Sequence, residues 1–358
     1  MVPRSASLSR SHFGPLALAP EKKSRARKTP DDPGYAQELH IRADWDYCVG
    51  CAVDRILNLE CSDMKRMSLL LLLVLSPIFA VAAPQGWAPL LEPAQLSDLL
   101  AGEHEIRVLH LTGNYDEGHI PGAVSAPYAQ FRGPQENAGQ LPALSELTRI
   151  VQELGIDANT PLVLVHGGSG AVDMGAATRV YWTMKSLGVD TLAILNGGFA
   201  AWQAAELPVT TDTVAVSATD FQPQWNGAYQ TTTAQMETLV AEGDAQIVDA
   251  RPQPYFAGEQ ASAARAGTLP GATNLSFTAM FDGNRMKTGD ELSAMLDSAI
   301  ARDAPLTVTF CNTGHLGSID WFAISELGGY DNTRLYAESI TEWAMDPERP
   351  MVNEPADN

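Results

Sequence analysis

One order of motifs occurs twice along this chain, and this duplication constrains the fold more than any other feature. In each copy, short apolar segments alternate with segments of amphipathic helical pattern. Apolar strands separated by helices form parallel sheets with helices on their faces, because two parallel strands need a crossover connection. The sequence therefore predicts an α/β protein built from two similar units. Its predicted strands are 106–111, 161–165 and 192–195 in the first copy, and 246–251, 306–310 and 334–336 in the second.

The segments between these strands match in register. Residues 118–123 read Gly-His-Ile-Pro-Gly-Ala, and residues 267–272 read Gly-Thr-Leu-Pro-Gly-Ala. The first copy also has a glycine-rich turn at 167–175, predicted to be a loop, before a predicted helix at 176–187. We place the first domain at residues 90–206, a linker rich in Thr, Val, Pro and Gln at 207–229, and the second domain at 230–350.

A single cysteine, Cys311, directly follows the predicted strand 306–310 and precedes a tight polar turn and a predicted helix at 319–327. The first N–H groups of such a helix have no partner within it, and the helix dipole adds about half a positive charge there. Both effects favour the thiolate, which is the nucleophilic form of cysteine. Free cysteine is also among the most buried residue types, where it acts as a small apolar side chain. From its position alone, Cys311 could therefore be either a nucleophile or a buried core residue.

The N-terminal part contains the pattern of a signal peptide, which begins at Met64 and not at residue 1. Basic residues after Met64 are followed by a leucine-rich run and then by small residues up to Ala82, so residues 64–82 are predicted to be a signal peptide. Residues 1–63 are then predicted to be a mis-called upstream extension. The alternative is a genuine extension in which the leucine-rich run acts as a signal anchor. Three of the four cysteines (Cys48, Cys51 and Cys61) lie in this upstream segment, and we assign them no metal or redox role.

Cleavage after Ala82 would leave Cys311 without a partner for a disulfide in a periplasmic or secreted protein. Residues 83–358 keep 12 of the 23 Lys/Arg and 34 of the 43 Asp/Glu, so their formal charge is −22. Such a charge repels nucleic acid and anionic lipid. We therefore expect small-molecule partners, no stable membrane insertion after cleavage, and a monomer.

The order of motifs resembles that of two-domain rhodanese-type sulfurtransferases, the thiosulfate/3-mercaptopyruvate sulfurtransferase family, in its exported bacterial form. The resemblance covers about residues 90–350 and includes the repeated Pro-Gly-Ala motif, the strand-end cysteine and the Ser-x-x-Glu-Trp motif that begins at Ser339. It implies two tandem rhodanese-like domains, each a mainly parallel sheet flanked by helices. In the family the first domain has lost its cysteine, and His166 stands at that position here. Arg251, two residues after Asp249, resembles a structural Asp-x-Arg pair of the family.

The resemblance implies a ping-pong transfer of sulfane sulfur. The Cys311 thiolate would take sulfur from thiosulfate or 3-mercaptopyruvate, become a persulfide, and pass the sulfur to cyanide or a thiol. The donor and the persulfide are anionic, so the site needs N–H donors and positive charge, and we expect neither a metal nor a cofactor. Successive N–H groups of the turn would supply an anion nest. The predicted substrate-binding residues of the turn are Asn312, Thr313, Gly314, His315 and Leu316.

The choice of donor stays open on the sequence. Thiosulfate-preferring members of the family usually have basic residues just after the cysteine, and mercaptopyruvate-preferring members have small and hydroxyl residues there. Here Asn312 and Thr313 are neutral, and Thr313 offers a hydroxyl. His315 is the one residue of the turn that can become cationic; it is either a charge-assisting donor or a solvent-facing turn residue. Arg179 matches a first-domain arginine that reaches toward the substrate in the family. Without the resemblance, a surface ion pair on a helix would be the alternative for Arg179.

Two other classes of function compete with the enzyme. A non-enzymatic carrier would hold a persulfide for a partner protein, and the sequence does not separate it from an enzyme. A cysteine phosphatase needs an arginine six residues after its cysteine, but Gly317 stands there and the next arginine is Arg334. The glycine-rich turn 167–175 lacks the Lys-Ser/Thr ending of a P-loop, which argues against nucleotide binding.

Overall fold

The computed structural model describes residues 83–353. The predicted upstream extension, the predicted signal peptide and their three cysteines lie outside these residues. Among the helices that are described, none is both long and apolar enough to cross a membrane.

The first domain contains a five-stranded parallel sheet with strand order β1-β5-β4-β2-β3. The central strand β4 reads Leu-Val-Leu-Val and is buried along its whole length, as expected of a parallel strand that helices cover on both faces. The elements are β1 (Leu90–Leu91), α1 (Pro93–Leu100), β2 (Arg107–His110), β3 (Val124–Ser125), α2 (Leu144–Glu153), β4 (Leu162–Val165), α3 (Ala171–Ser186), β5 (Leu192–Leu195) and α4 (Gly198–Ala204).

The second domain repeats this plan with a four-stranded parallel sheet of order β11-β10-β6-β7 and a separate antiparallel hairpin, β8–β9. The predicted α/β architecture of two mainly parallel sheets is thereby confirmed. The elements are α5 (Thr233–Glu242), β6 (Gln246–Asp249), α6 (Gln253–Phe256), β7 (Ala272–Asn274), β8 (Phe281–Asp282), β9 (Arg285–Met286), α7 (Gly289–Ala299), β10 (Thr307–Phe310), α8 (Gly317–Trp321), β11 (Thr333–Leu335) and α9 (Ser339–Trp343).

The glycine-rich turn of the first domain is shorter than predicted. Residues 171–175 were expected in a loop, but they form the first turns of α3. The cause is Asp173, whose carboxylate accepts hydrogen bonds from the N–H groups of Gly168 (2.8 Å) and Ser169 (3.2 Å). This contact folds the turn back onto the helix N-terminus and stabilises an early helix start.

The helix after Cys311 also differs from a plain α-helix. It begins at Gly317, two residues before the predicted start, and changes at Phe322 into a π-helix that ends at Leu327. The indole N–H of Trp321 donates to the carbonyl of Thr333 at 3.1 Å, which ties the helix to β11. The π-helical part, Phe322–Leu327, therefore follows a short α-helical segment that Trp321 fixes to β11.

The two domains pack through α3 and the helix that begins with α8. The hydroxyls of Thr178 and Ser318 lie 2.7 Å apart, and the rings of Tyr181 and Phe322 make an edge contact at 4.9 Å between centroids. Apolar side chains of both domains form one continuous buried cluster at this interface. Contacts across this interface therefore position the cysteine turn of the second domain against α3 of the first.

Candidate active site

Cys311 lies at the carboxyl end of β10, between the two domains, and is 1% exposed. Its carbonyl accepts the N–H of Ile340 at 3.1 Å, and the carbonyl of Asn312 accepts the N–H of Thr341 at 3.0 Å. These bonds hold the start of the turn against the N-terminus of α9. The first domain has the same arrangement, with the carbonyls of His166 and Gly167 bonded to the N-terminus of α4.

Ser339 fixes the shape of the cysteine turn. Its hydroxyl oxygen accepts the N–H groups of Cys311 and Gly314, both at 3.1 Å, and donates to the carbonyl of Tyr336 at 2.7 Å. Ser339 has a φ of 57°, which a residue with a side chain rarely adopts. The sequence reading included Ser339 in a family motif but gave it no role, because the role depends on this contact.

The N–H groups of Asn312, Thr313, His315 and Leu316 meet no acceptor within the described residues. Gly314, in the middle of the turn, has a φ of 66°, and a Cβ there would lie 2.3 Å from the carbonyl oxygen of Ala337. Only glycine fits this backbone. The turn therefore keeps successive N–H groups free beside the thiol, which is the arrangement of an anion nest.

Arg179 lies on α3 and is fully buried, so it is not the surface ion pair considered above. Its Nη2 donates to the carbonyl of Gly139 at 2.9 Å, while Nε and Nη1 have no partner among the described residues. Nη1 faces Gly314, where it would lie 2.3 Å from an added Cβ. Burial and the positive charge of Arg132 lower the pKa of Arg179 to about 10, and Cys311 is among the groups that act in the opposite direction.

Arg132 is a second cation at this site, and the sequence reading missed it. Its Nη2 donates to the carbonyl of Thr313 at 2.9 Å, and its guanidinium lies over the ring of Tyr128. Its Nη1 is buried without a partner among the described residues. Arg132 follows a short 3-10 helix (Tyr128–Phe131) in an irregular segment, so no sequence pattern points to its place.

His315 connects the turn to the first domain. Its Nδ1 lies 2.8 Å from the hydroxyl of Tyr128, and its Nε2 lies 2.8 Å from the carbonyl of Val172. A carbonyl only accepts, so Nε2 carries the proton and Nδ1 accepts from the tyrosine. Burial and the charge of Arg132 lower the pKa of His315 to about 4, so it is neutral at neutral pH. Neither predicted role, a cationic donor or a solvent-facing residue, describes this placement.

The other turn residues have smaller roles in this structure. Asn312 is hydrogen-bonded through its side-chain oxygen to the hydroxyl of Ser262 in the same domain. Thr313 supplies its carbonyl to Arg132, and Leu316 packs against the shared apolar cluster. The structure therefore brings the whole predicted turn together with Arg179, and among the described turn residues it shows side-chain hydrogen bonds to the first domain for His315 alone.

One buried carboxyl group lies at the edge of this site. Glu338 immediately precedes Ser339, and its Oε2 has no hydrogen-bond partner within the described part of the chain. Burial raises the pKa of Glu338, the charge of Arg179 opposes this shift, and Glu342 adds to it. Glu338 is therefore a poorly compensated acid near a poorly compensated arginine.

The matching nest of the first domain is filled by the protein itself. Asp173 accepts the turn's N–H groups there, together with the hydroxyl of Thr112 at 2.7 Å. Burial acts to raise the pKa of Asp173, but the neighbouring imidazole of His166, whose Nδ1 lies 3.7 Å away, and the hydrogen bond from Thr112 outweigh it and lower the pKa well below its usual range. An anionic ligand would meet a carboxylate there. Within residues 83–353 no cluster of three or more His, Cys, Asp or Glu side chains is placed to hold a metal ion.

Comparison with known proteins gives matches over both domains. The family described as Rhodanese-like domain matches residues 94–205 and 232–346. A thiosulfate sulfurtransferase of Azotobacter vinelandii is 29% identical over 267 residues, which cover 73% of this chain and 96% of the relative. The 3-mercaptopyruvate sulfurtransferase of Escherichia coli K12 is 27% identical over 245 residues, which cover 66% of this chain and 84% of that protein.

A solved structure shares the fold. The crystal structure of SseA from Escherichia coli, described in a study of the rhodanese fold of 3-mercaptopyruvate sulfotransferases, superimposes with a TM-score of 0.62 at 24% identity. The match covers 70% of this chain and 98% of that chain. At this identity the likeness establishes the fold, which is that of two rhodanese domains.

Proposed function

The chain belongs to the rhodanese-like domain family, and from that membership we propose that it is a sulfurtransferase acting through a persulfide on Cys311. The donor would be thiosulfate or 3-mercaptopyruvate, and the acceptor would be cyanide or a thiol. The observation that carries the proposal is the position of Cys311. Its thiol begins a turn whose four unpartnered N–H groups and two facing guanidinium groups suit an anionic sulfur compound.

The reaction consists of two displacements at sulfur. The Cys311 thiolate attacks the outer sulfur of thiosulfate, the S–S bond breaks, and its electron pair leaves on sulfite. The acceptor then attacks the outer sulfur of the persulfide, and the electron pair of that bond returns to Cys311. With 3-mercaptopyruvate a C–S bond breaks instead, and the enolate of pyruvate leaves and takes up a proton. No step needs an oxidant or a reductant.

The surrounding residues stabilise the charges of these steps. The free N–H groups of Asn312, Thr313, His315 and Leu316 can bind the persulfide anion, because Ser339 occupies the two other N–H groups of the turn. Arg179 offers two free N–H groups to the donor from the first domain. Hydrogen bonds to charged groups are worth about 1.5–3 kcal/mol each, so these contacts matter for donor binding.

A sulfur carrier is the second candidate, and the covering of Cys311 favours it. Residues 132–139 of the first domain, here named the covering segment, lie against the cysteine turn and α9 through Arg132, Asn137 and Gly139. A thiol that is 1% exposed is protected from random acceptors, which suits a protein that releases sulfur to one partner.

Turnover separates the enzyme from the carrier. The purified protein is given excess thiosulfate and cyanide, or 3-mercaptopyruvate and cyanide, and thiocyanate is measured over time. An enzyme forms many equivalents of thiocyanate per chain, whereas a carrier takes up one sulfur on Cys311 and passes little or none of it to cyanide. If Cys311 gains no sulfur from either donor, the proposed function is contradicted in both forms.

We also propose that the protein is exported, with residues 64–82 removed as a signal peptide. The support is the order of basic, apolar and small residues in that segment. The N-terminus of the protein isolated from its host should then lie near Ala83. Peptides from residues 1–63 in that material would contradict a start at Met64.

A further inference from the structure

Two guanidinium groups of the first domain meet at the cysteine turn with unused donors. Arg132 Nη1, Arg179 Nη1 and Arg179 Nε are buried, and none has a hydrogen-bond partner among the described residues. The two side chains are held by the same turn, since Arg132 donates to the carbonyl of Thr313 and Arg179 packs against Gly314. The two guanidinium groups therefore contact adjacent residues of the turn, and the charge of Arg132 adds to burial in lowering the pKa of Arg179.

The second domain shows how this chain satisfies a buried arginine elsewhere. Arg251 is 1% exposed and binds the carboxylate of Asp249 through Nε and Nη2, at distances down to 2.6 Å, and also donates to the carbonyl of Gly267. Arg132 and Arg179 make no such ion pair with any described residue. Arg179 is buried and Arg132 is half-buried, and two such cations with buried, unused N–H groups and no counter-ion among the described residues are unfavourable until an anion binds.

Glu338 does not supply that counter-ion. It makes no ion pair with Arg179 within 4.0 Å, its own Oε2 is unpartnered, and its raised pKa works against the charged form. The charge of Glu338 therefore compensates Arg179 only in part. The arrangement suits the binding of an anion, with the carboxyl group of Glu338 as a weak internal competitor beside it.

We propose that Arg132 and Arg179 together form a clamp for the dianionic head group of the sulfur donor, and that Arg132 makes the site prefer thiosulfate-type donors to monocarboxylate donors. This proposal rests on the proposed function and names the donor class for it. The three unused N–H nitrogens match the three oxygens of a sulfonate group, and the two positive charges match a dianion. A carboxylate has fewer oxygens and a single charge, so it would leave one cation uncompensated.

The clamp explains how a neutral cysteine turn can accept thiosulfate. The turn itself carries no cation, since Asn312 and Thr313 are neutral and His315 has a pKa of about 4. Both positive charges come from the first domain. The donor can therefore bind across the domain interface, with its sulfonate on the first domain and its outer sulfur toward Cys311.

Steady-state kinetics test the role of Arg132. Arg132→Gln keeps an N–H donor for the carbonyl of Thr313 but removes the charge. Arg132→Lys keeps the charge but removes the planar guanidinium group with its several N–H donors. We expect Arg132→Gln to raise the KM for thiosulfate by about ten- to a hundred-fold and the KM for 3-mercaptopyruvate by much less. The KM of Arg132→Lys for thiosulfate should lie between those of the wild type and Arg132→Gln. Arg302→Gln, which changes an exposed arginine paired with Asp297, is the matched control. Equal changes for both donors, or none, would overturn the proposal.

Binding without turnover separates the clamp from the proposed function. Cys311→Ser and the double variant Cys311→Ser/Arg132→Gln are titrated with thiosulfate, sulfite and acetate at equal ionic strength in a calorimeter. The clamp requires Cys311→Ser to bind thiosulfate and sulfite more tightly than acetate, and the double variant to lose that preference. This result supports the clamp even if the wild type turns over no donor. If the double variant binds thiosulfate and sulfite with the same affinity and the same preference over acetate as Cys311→Ser, the clamp is overturned. It is also overturned if Cys311→Ser binds neither thiosulfate nor sulfite.

Discussion

Arg179 and Arg251 are both fully buried, yet the structure uses them in opposite ways. Arg251 is neutralised by Asp249, whereas Arg179 keeps two donors and its charge without a paired carboxylate. A buried charge without a partner costs stability, and it persists where binding or catalysis needs it. The two arginines therefore form a natural pair for separating function from stability.

Arg179→Met should leave the thermal midpoint of unfolding unchanged or raise it, because it removes an uncompensated buried charge and keeps an apolar side chain in place. The same variant should raise the KM for thiosulfate by about ten- to a hundred-fold. Arg251→Met is the contrasting variant. It leaves Asp249 buried and unpaired, so it should destabilise the fold by about 3–5 kcal/mol. Thermal unfolding and donor kinetics of the two variants check this, and a destabilised Arg179→Met with normal KM would assign Arg179 to the fold.

His315 should make the stability of the protein depend on pH in a defined window. Its pKa is about 4 in the folded protein, against an ordinary value of 6.5, so the unfolded chain binds the proton more readily between these values. The contribution of His315 is complete above about pH 6.5 and is lost as the pH falls toward 4. The free energy of unfolding, measured by denaturant titration, should fall more steeply over this window in the wild type than in His315→Gln.

The control for this measurement is His104→Gln, which replaces an exposed histidine. Its pH profile should follow that of the wild type. A His315→Gln profile parallel to the wild type would mean that the imidazole is not held neutral between Tyr128 and Val172.

Among single residues, the sequence located Cys311 because its signal is local. A cysteine between an apolar strand and a helix start is visible in ten residues of sequence. Arg132 and Ser339 carry no such signal, since the first acts across the domain interface and the second acts through a left-handed backbone conformation. His315 was assigned to the right turn, but its contacts with Tyr128 and Val172 depend on how the two domains pack.

At the scale of elements, α3 packs closely against the cysteine turn at Gly175. Gly175 lies on α3, and a Cβ there would be 2.6 Å from Nε2 of His315. His315 is held by two hydrogen bonds and cannot move aside freely. A side chain at this position of α3 must therefore displace the imidazole and, with it, the turn that holds Cys311.

Gly175→Ala should lower kcat/KM for thiosulfate strongly while destabilising the fold by only about 1–3 kcal/mol, part of which the better helix propensity of alanine offsets. Gly170→Ala, at the start of the same helix, is the control because an added Cβ there meets nothing within 4 Å. It should leave kinetics and stability nearly unchanged. If both variants have wild-type kinetics, the placement of His315 does not matter for the reaction.

The strands were predictable because each has a buried apolar run. All six predicted strands are present, shifted by no more than two residues at either end. The short strands β1, β3, β7, β8 and β9 were missed, because two or three residues give no pattern of their own. The early start of α3 was missed because it depends on a side-chain contact of Asp173 with the turn before it.

At the scale of the whole molecule, the duplication explains why the site lies between the domains. Each domain ties the turn after one of its inner strands to the helix that follows the next strand, α4 or α9, through equivalent backbone bonds. The first domain fills its nest with Asp173 and supplies Arg132, Arg179 and the covering segment to the other domain. The second domain keeps its nest open and supplies the thiol. The tandem fold was predictable from the repeated motifs, but this division of roles follows from the packing of the domains.

The central claim is that Cys311 carries the sulfur, and peptide mass spectrometry tests it most directly. The protein is incubated with thiosulfate, freed of excess donor, and digested with trypsin near neutral pH under non-reducing conditions. The peptide 303–334 contains Cys311 and no other cysteine. It should gain the mass of one sulfur atom, and cyanide should remove that mass while thiocyanate is released. Cys311→Ser should show neither change. A wild-type peptide that gains no sulfur from thiosulfate or from 3-mercaptopyruvate would contradict the account.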